Sequence, residues 1–389
     1  MRKIWPFGLS FLMFAGYATV GPFFVLFYQS LGFSGTQIGV LTGIAPLVTF
    51  LIVPLWTRLA DKTHRHRLLM SVALAGGILV VSLFPLPRAF APILGLAVLL
   101  NVFLAPVTPF ADNAAMFMLG EKKNLYGRIR VGGTIGYGVA ASLAGVLVHR
   151  FGLASAFWGC SSMFLLALLV SLRLVHAEPN ASVHSRPKAS LRAFLATPRW
   201  PLFLAVAFAG GLSLSSFNYL FSFMAELGAK ESIMGLALTI GTIAEVPILL
   251  LSHRLIKCLS PYPVLMLAIL MMGIRLLLFA VSVTPGHILL SQILNCITFP
   301  LAWVAAVSYA NEIAPTGLTT TAQGLLSATV YGFGMAVGGF LGGPLLERLG
   351  GRGLYLVFGV VVLAIVALVA LIQSRLPAER PTSPDIAMP

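Results

Sequence analysis

Residues 31–39 read LGFSGTQIG, and residues 227–235 read LGAKESIMG. The two stretches share L-G-x5-[IM]-G at an offset of 196, about half of a 389-residue chain. A second pair returns at nearly the same spacing: GVLVHRFG at 145–152 and GPLLERLG at 343–350 share G-x-L-x-x-R-x-G at an offset of 198. Either match alone is weak. Together, at one offset and at the same place in each half, they mark a duplicated unit.

Lipid-spanning helices fill that unit. Residues 236–251, LALTIGTIAEVPILLL, carry one group that does not belong in hydrocarbon, Glu245. The chain as a whole is 58% hydrophobic and 9% charged. A soluble domain carries about 25% charged residues, so this composition cannot cover a surface facing water. Apolar runs long enough to cross about 30 Å of hydrocarbon recur along the whole length. Backbone groups in lipid must be satisfied within the segment, and the short alternating strands of a barrel are absent, so the spans are helical. They fall near 5–30, 36–57, 68–87, 91–118, 130–149, 154–175, 200–226, 233–255, 262–283, 286–311, 320–346 and 353–374. The expected fold class is therefore an all-α polytopic membrane protein with twelve spans in two six-helix repeats. The N-terminal bundle covers 1–175, a cytoplasmic linker 176–199, the C-terminal bundle 200–374 and a cytoplasmic tail 375–389. The opening MRKIWPFGLSFLMF starts like a signal peptide, but the apolar run continues to about Ser30 without a small-residue cleavage site, so it reads as an uncleaved first span.

The net charge of +14 is a topology signal rather than a nucleic-acid footprint. Nineteen Lys and Arg residues fall on the side of the termini, five (Arg88, Arg150, Lys230, Arg348, Arg352) on the other, and Arg275 lies inside a span. The positive-inside rule places both termini in the cytoplasm of a cell-membrane protein, the bacterial inner membrane being the natural setting. Anionic lipid headgroups are secondary partners of the same basic loops. Cys160, Cys258 and Cys296 have neither pairing nor metal-ligand spacing. His64, His66, His149, His176, His184, His253 and His287 fall in loops or at span ends. No metal site or cofactor is implied, and no nucleophile–base arrangement or phosphate loop marks an enzyme. A membrane-embedded receptor or enzyme is the competing class, told apart by whether the protein alone moves a solute chemically unchanged.

Two small-residue faces run through corresponding spans: Gly334, Gly338 and Gly342 in span 11, and Gly132, Gly136, Ala141 and Gly145 in span 5. Such faces let helix backbones approach closely, either as static packing or as moving gates.

Four ionisable residues lie inside or at the edge of the bilayer: Asp112 in span 4, Arg130 opening span 5, Glu245 in span 8 and Arg275 in span 9. A charge at a helix centre costs about 2.5–3.5 kcal/mol on insertion scales, and intramembrane charges mark substrate or ion pathways by default. Spans 8 and 9 meet at the short loop CLSPYP; counted from it at 1.5 Å per residue, Glu245 is about 15 Å deep and Arg275 about 20 Å, within reach of each other. Asp112 and Arg130 flank a basic loop in the same way. Structural salt bridges that fix helix register are the bland alternative. Tyr137 lies seven residues after Arg130, on the same helix face, and so offers a ring to the same polar pocket.

Twelve spans in two halves, a long middle loop and TRLADKTHRH at 57–66 resemble the major facilitator superfamily, whose loop motif after span 2 runs G-x-x-x-D-[RK]-x-G-[RK]-[RK]. Asp61, Lys62 and Arg65 match it; Thr57, His64 and His66 depart from it. PVTPFADNAA followed by YGRIRVGGTIGYG, with GTIAEVPILLLSHRLIK, MGIRLLL and QILNCITFPLAWVAA, narrows the resemblance to the lactose-permease and phenylpropionate-permease branch. The resemblance implies substrate-binding roles for Asp112, Arg130 and Tyr137, and roles in binding and proton coupling for Glu245 and Arg275. It also implies a cytoplasmic gate at Asp61, Lys62 and Arg65. Where lactose permease has a titratable histidine in span 10, this chain has Asn295, with Thr298 one turn on. Asparagine cannot titrate, so a coupling proton must ride on Glu245 or Asp112. The expected function is secondary active transport of a small polar or aromatic solute, as proton symport by a monomer. Export of an amphipathic metabolite or drug is the alternative, against which span 5 lacks the G-P-x-x-G-G pattern of drug/proton antiporters.

Overall fold

The computed structural model describes residues 4–120, 126–174, 199–315 and 318–375, with the backbone alone at 128, 249–259 and 320. Most of the expected 176–199 linker and of the 375–389 tail, and His176 and His184, lie outside the described residues, as does the side chain of His253.

Every regular element among the described residues is helical. Span 1 covers Ile4–Ser30, span 2 Gly35–Thr63, span 3 His66–Leu83, span 4 Phe90–Leu119, span 5 Tyr126–Phe151, span 6 Ala154–Ser171 and span 7 Arg199–Glu226. Span 8 covers Glu231–Leu259, span 9 Pro261–Ala280 and span 10 Pro285–Glu312. The last apolar stretch, Thr321–Ser374, is too long for one crossing of about 20 residues. It turns at Gly350, whose φ of 65° and ψ of −179° interrupt the helix and separate span 11 from span 12. The protein is thus an all-α polytopic membrane protein, with twelve spans among the described residues once the last of eleven apolar stretches is divided at Gly350. Leu51, Leu143, Trp158, Leu368 and Leu371 are all exposed on its outer surface, a pattern suited to lipid rather than water.

The sequence repeats become turns. Gly32 and Gly228 of the first motif, and Gly152 and Gly350 of the second, all adopt positive φ, between 65° and 79°. A side chain is strained there, so glycine is the residue these tight connections require. All four turns lie on the face away from the termini, here called the far face. Ser34 then starts span 2 with a reciprocal cap: its Oγ accepts the Gln37 amide at 3.3 Å, and its own amide donates to Gln37 Oε1 at 3.0 Å.

The halves also repeat their helix breaks. Span 1 tightens to a 3₁₀ turn at Gly21–Phe23 and span 7 at Ser216–Tyr219. Span 4 stops at Leu104 and restarts at Val107 after Pro106. Span 10 tightens to a 3₁₀ helix over Gln292–Ile297, and Thr298 leaves helical geometry before Pro300 in the first turn of the next helix. A proline lacks the amide proton and crowds the carbonyl one turn back, so the break before Pro300 follows from local sterics. The small-residue faces separate by role. Gly132 and Gly136 receive Phe7 and Phe11 of span 1, and Gly334, Gly338 and Gly342 receive span 7, all within one half. Gly145 and Gly343 instead meet backbone of the opposite half.

The two halves meet in two seams, span 2 against span 11 and span 5 against span 8, joined by the far-face ends of spans 1 and 7. Gly35 and Gly39 pack on backbone of Gly343 and Phe340, and Gly235 packs on Ala141. Thr42 Oγ1 lies 2.8 Å from the Tyr219 hydroxyl, which donates to the Gly339 carbonyl at 2.7 Å. Ser222 Oγ donates to Gln29 Oε1 at 2.7 Å. These contacts close the far face.

Candidate functional site

On the termini side of these contacts, four of the five expected binding residues that carry charge or an aromatic ring gather in two clusters. In the N-terminal half the two charges pair directly. Span 4 restarts at Val107 and carries Asp112 one and a half turns on, opposite the first turns of span 5. Asp112 Oδ2 lies 3.6 Å from Arg130 Nη1, with the side chains 39% and 44% exposed. The Arg130 guanidinium also sits 5.2 Å from the Phe14 ring centre of span 1. Tyr126 stands beside both members of the pair, and Tyr331 of span 11 lies within charge range of Arg130 from the opposite half. Tyr331 packs its ring 4.9 Å from Trp303. The result is a half-exposed ion pair walled by aromatic rings.

In the C-terminal cluster Arg275 is buried, Glu245 is partly buried, and the two charges do not touch. Arg275 is 3% exposed. Its Nη1 donates to Asn295 Oδ1 at 2.5 Å and to Thr298 Oγ1 at 3.5 Å, and its Nη2 donates to Gln292 Oε1. Phe217 and Phe279 cover the guanidinium with ring centres at 5.0 and 5.2 Å. Asn295 then donates from Nδ2 to Glu245 Oε1 at 2.5 Å and to the Gly241 carbonyl at 3.3 Å. Spans 8 and 9 alone suggest a direct Glu245–Arg275 bridge; the third helix, span 10, inserts an amide between them. The local break at 292–298 makes this possible, because it turns Gln292, Asn295 and Thr298 toward one guanidinium. Two buried donors, Arg275 Nε and Gln292 Nε2, have no partner among the described residues.

Tyr137 joins the clusters. It shares span 5 with Arg130, but its charged neighbour is Glu245 of the opposite half. Gly138, the next residue, sits against Thr242, and Thr239 Oγ1 donates to the Gly138 carbonyl at 2.6 Å. The far-face seam therefore ends just above the site. Asp61, Lys62 and Arg65 stand apart, exposed at the termini-face end of span 2, and form no ion pair with a described residue. Gln292, Phe14, Tyr126 and Tyr331 were not singled out by sequence reasoning. Of these, Gln292 left a usable signal: a second amide three residues before Asn295 in an otherwise apolar run.

Comparison with known proteins gives a consistent frame. The model of the MFS_1 like family matches residues 7–357. The chain is 28% identical over 367 residues to the maltose permease of Geobacillus stearothermophilus, covering 94% of this chain and 93% of that one. It is 24% identical over 363 residues to a probable 3-phenylpropionic acid transporter of Escherichia coli (strain K12), covering 91% and 93%. The crystal structure of nucleoside transporter NupG superposes with a TM-score of 0.82 over 96% of this chain and 99% of that one, at 17% identity, a likeness of fold.

Proposed function

Because the chain belongs to the MFS_1-like family and is a transporter of the major facilitator type, we propose that it takes up a small neutral, hydroxyl-bearing ring compound, a sugar or nucleoside, together with a proton. The site acts within one chain, as a monomer in a bacterial inner membrane with both termini cytoplasmic. Residues 1–175 and 200–374 rock as two bodies about it. The excess of Lys and Arg on the termini side supports that orientation.

The observation that carries this reading is the contrast between a carboxylate already paired with a cation and one that is not. Asp112 faces Arg130 directly. Glu245 faces an amide, with Arg275 one residue further away. A carboxylate held by a neutral donor inside the membrane is the group a proton can neutralise without stranding a partner cation, so Glu245 takes the coupling proton. Asn295 relays hydrogen bonding and has no proton that titrates. The half-exposed Asp112–Arg130 pair offers acceptors and donors to hydroxyl groups, and Phe14, Tyr126 and Tyr331 offer faces to a ring. Neither guanidinium is presented free of partners, which favours a neutral solute over an aromatic acid.

The cycle follows from alternating access. With the far face open, protonated Glu245 admits the solute; the halves then rock to the arrangement described above, open toward the termini. Solute leaves past Arg130, and Glu245 releases its proton to the same side. Asp61, Lys62 and Arg65 serve as the lock on the termini face, and their lack of ion pairs with described residues accords with that face being open.

The test is external pH around de-energised proteoliposomes on addition of sugars, nucleosides and aromatic acids. Alkalinisation on adding a sugar or nucleoside is expected. Acidification would replace symport by exchange, and a response confined to aromatic acids would overturn the substrate class.

A further inference from the structure

The two repeat motifs meet each other. Gly35 and Glu231 occupy equivalent positions of the first motif, and His149 and Glu347 equivalent positions of the second. At the seam of spans 2 and 11, Glu347 Oε2 accepts the Gly35 amide at 2.9 Å. At the seam of spans 5 and 8, His149 Nδ1 lies 2.9 Å from Glu231 Oε2. Beneath each contact a motif glycine, Gly343 or Gly145, packs on the backbone carbonyl of the residue above, Gly35 or Glu231. Duplication thus placed one polar latch at the far-face mouth of each seam, and the two have diverged in chemistry. The first joins a carboxylate to a backbone amide, which cannot change charge. The second joins a carboxylate to an imidazole, the side chain that changes charge between about pH 5 and 8.

We propose that His149 and Glu231 form a proton-binding latch, separate from the transport site, that holds the far face closed when His149 is protonated. The sign is set by the pair itself: imidazolium attracts the Glu231 carboxylate, and loss of the proton removes that attraction while the Glu347 latch stays as it is. The ionisable neighbours are few: His287 lies on the first turns of span 10, which packs on span 8, and accepts the Val283 amide at 3.4 Å. Lys230 precedes Glu231 on span 8, and Arg150 follows His149 on span 5. The end of span 1, residues 24–30, contributes only Tyr28 among ionisable groups, and residues 152–158 at the start of span 6 contribute none. Glu226, at the end of span 7, is committed to the Gly351 amide at 2.8 Å. Both latch side chains are more than a third exposed, so the attraction is screened and the closed-to-open ratio shifts about two- to fivefold. With the termini in the cytoplasm, the far face meets the external medium, and acidification there biases the carrier toward its inward-facing form. The latch does not depend on the solute or on proton symport.

The test uses the full chain with Cys160, Cys258 and Cys296 replaced by alanine and spin labels on Leu86→Cys and Val283→Cys. These are exposed loop positions of opposite halves on the far face. Pulsed electron resonance in lipid nanodiscs should show the short-distance population falling about two- to fivefold relative to the long one from pH 5.5 to 8. His149→Gln and Glu231→Gln should each remove that step, while His149→Arg should stay closed at both pH values. Glu347→Gln should lower the closed population at both pH values and keep the step. No pH step with the latch intact would overturn the proposal. So would a step that survives His149→Gln, since the responding group would then lie elsewhere, as at Glu245.

Discussion

The seams and the transport site are both built where the two halves face each other, yet duplication treated them differently. At the seams, equivalent residues do equivalent work: Gly145 and Gly343 make the same close approach, and His149 and Glu347 make the same reach across. At the site nothing is repeated. The position equivalent to Arg130 is Ala328, and the position equivalent to Glu245 is Thr49. A rocking contact works best when both sides close alike, whereas binding and coupling require two different kinds of charge. The N-terminal half keeps an ion pair in contact and half exposed. The C-terminal half keeps its charges apart, Arg275 buried and Glu245 partly so, with Asn295 between them.

That contrast is broken most severely at Glu245. One proton moving with one neutral solute supports about fiftyfold accumulation per 100 mV of membrane potential. Glu245→Gln keeps a hydrogen-bonding partner for Asn295 but cannot exchange a proton. Accumulation should fall to the external concentration while solute exchange across proteoliposomes stays within about twofold of the original, the cost of a near-isosteric change. Retained accumulation in energised vesicles would remove Glu245 from the coupling role.

Asp112→Asn sharpens the other side of the comparison. It leaves Arg130 without its counter-charge and weakens the hydrogen bonds offered to solute. A hydrogen bond to a charged group contributes about 1.5–3 kcal/mol, so affinity should drop about ten- to hundredfold. Exchange and accumulation should fall together, as they do not for Glu245→Gln. Parallel transport assays on the two variants separate binding from coupling; an Asp112→Asn protein that exchanges normally but does not accumulate would transfer the proton to Asp112.

Much of the scaffold was legible in the sequence because its causes are local. Span limits follow from apolar length, and the four positive-φ turns follow from glycines that recur at the repeat spacing. Asp112 and Arg130 announced themselves as charges flanking one loop, and the structure brings them to 3.6 Å. Glu245 and Arg275 announced themselves equally, but their relation did not. Depth along two helices says nothing of a third that comes between, and a neutral amide such as Gln292 in an apolar run looks like any interhelical hydrogen bond. Its meaning depends on the break before Pro300, a tertiary consequence of local sterics that hydropathy does not register.

The mildest perturbation tests that third helix. Asn295 donates to the Gly241 carbonyl, and a Cβ on residue 241 would lie 3.1 Å from Gln292 Oε1 and 3.6 Å from Asn295 Nδ2. Gly241→Ala must therefore push span 10 or its amides by a few tenths of an ångström, stretching the relay between Arg275 and Glu245. Alanine in a helix interior is favoured over glycine by about 1 kcal/mol, so span 8 itself should gain stability. The two effects have opposite signs and separate readouts. Thermal unfolding in detergent should be unchanged or slightly raised, while proton-coupled uptake slows about two- to fivefold, as expected for a displacement worth about 0.5–1 kcal/mol in one buried hydrogen bond. Solute exchange, which relies on the Asp112–Arg130 side, should be nearly untouched. If exchange and uptake slowed equally, the amides of span 10 would belong to solute binding, and the division of labour between the two halves would have to be redrawn around them.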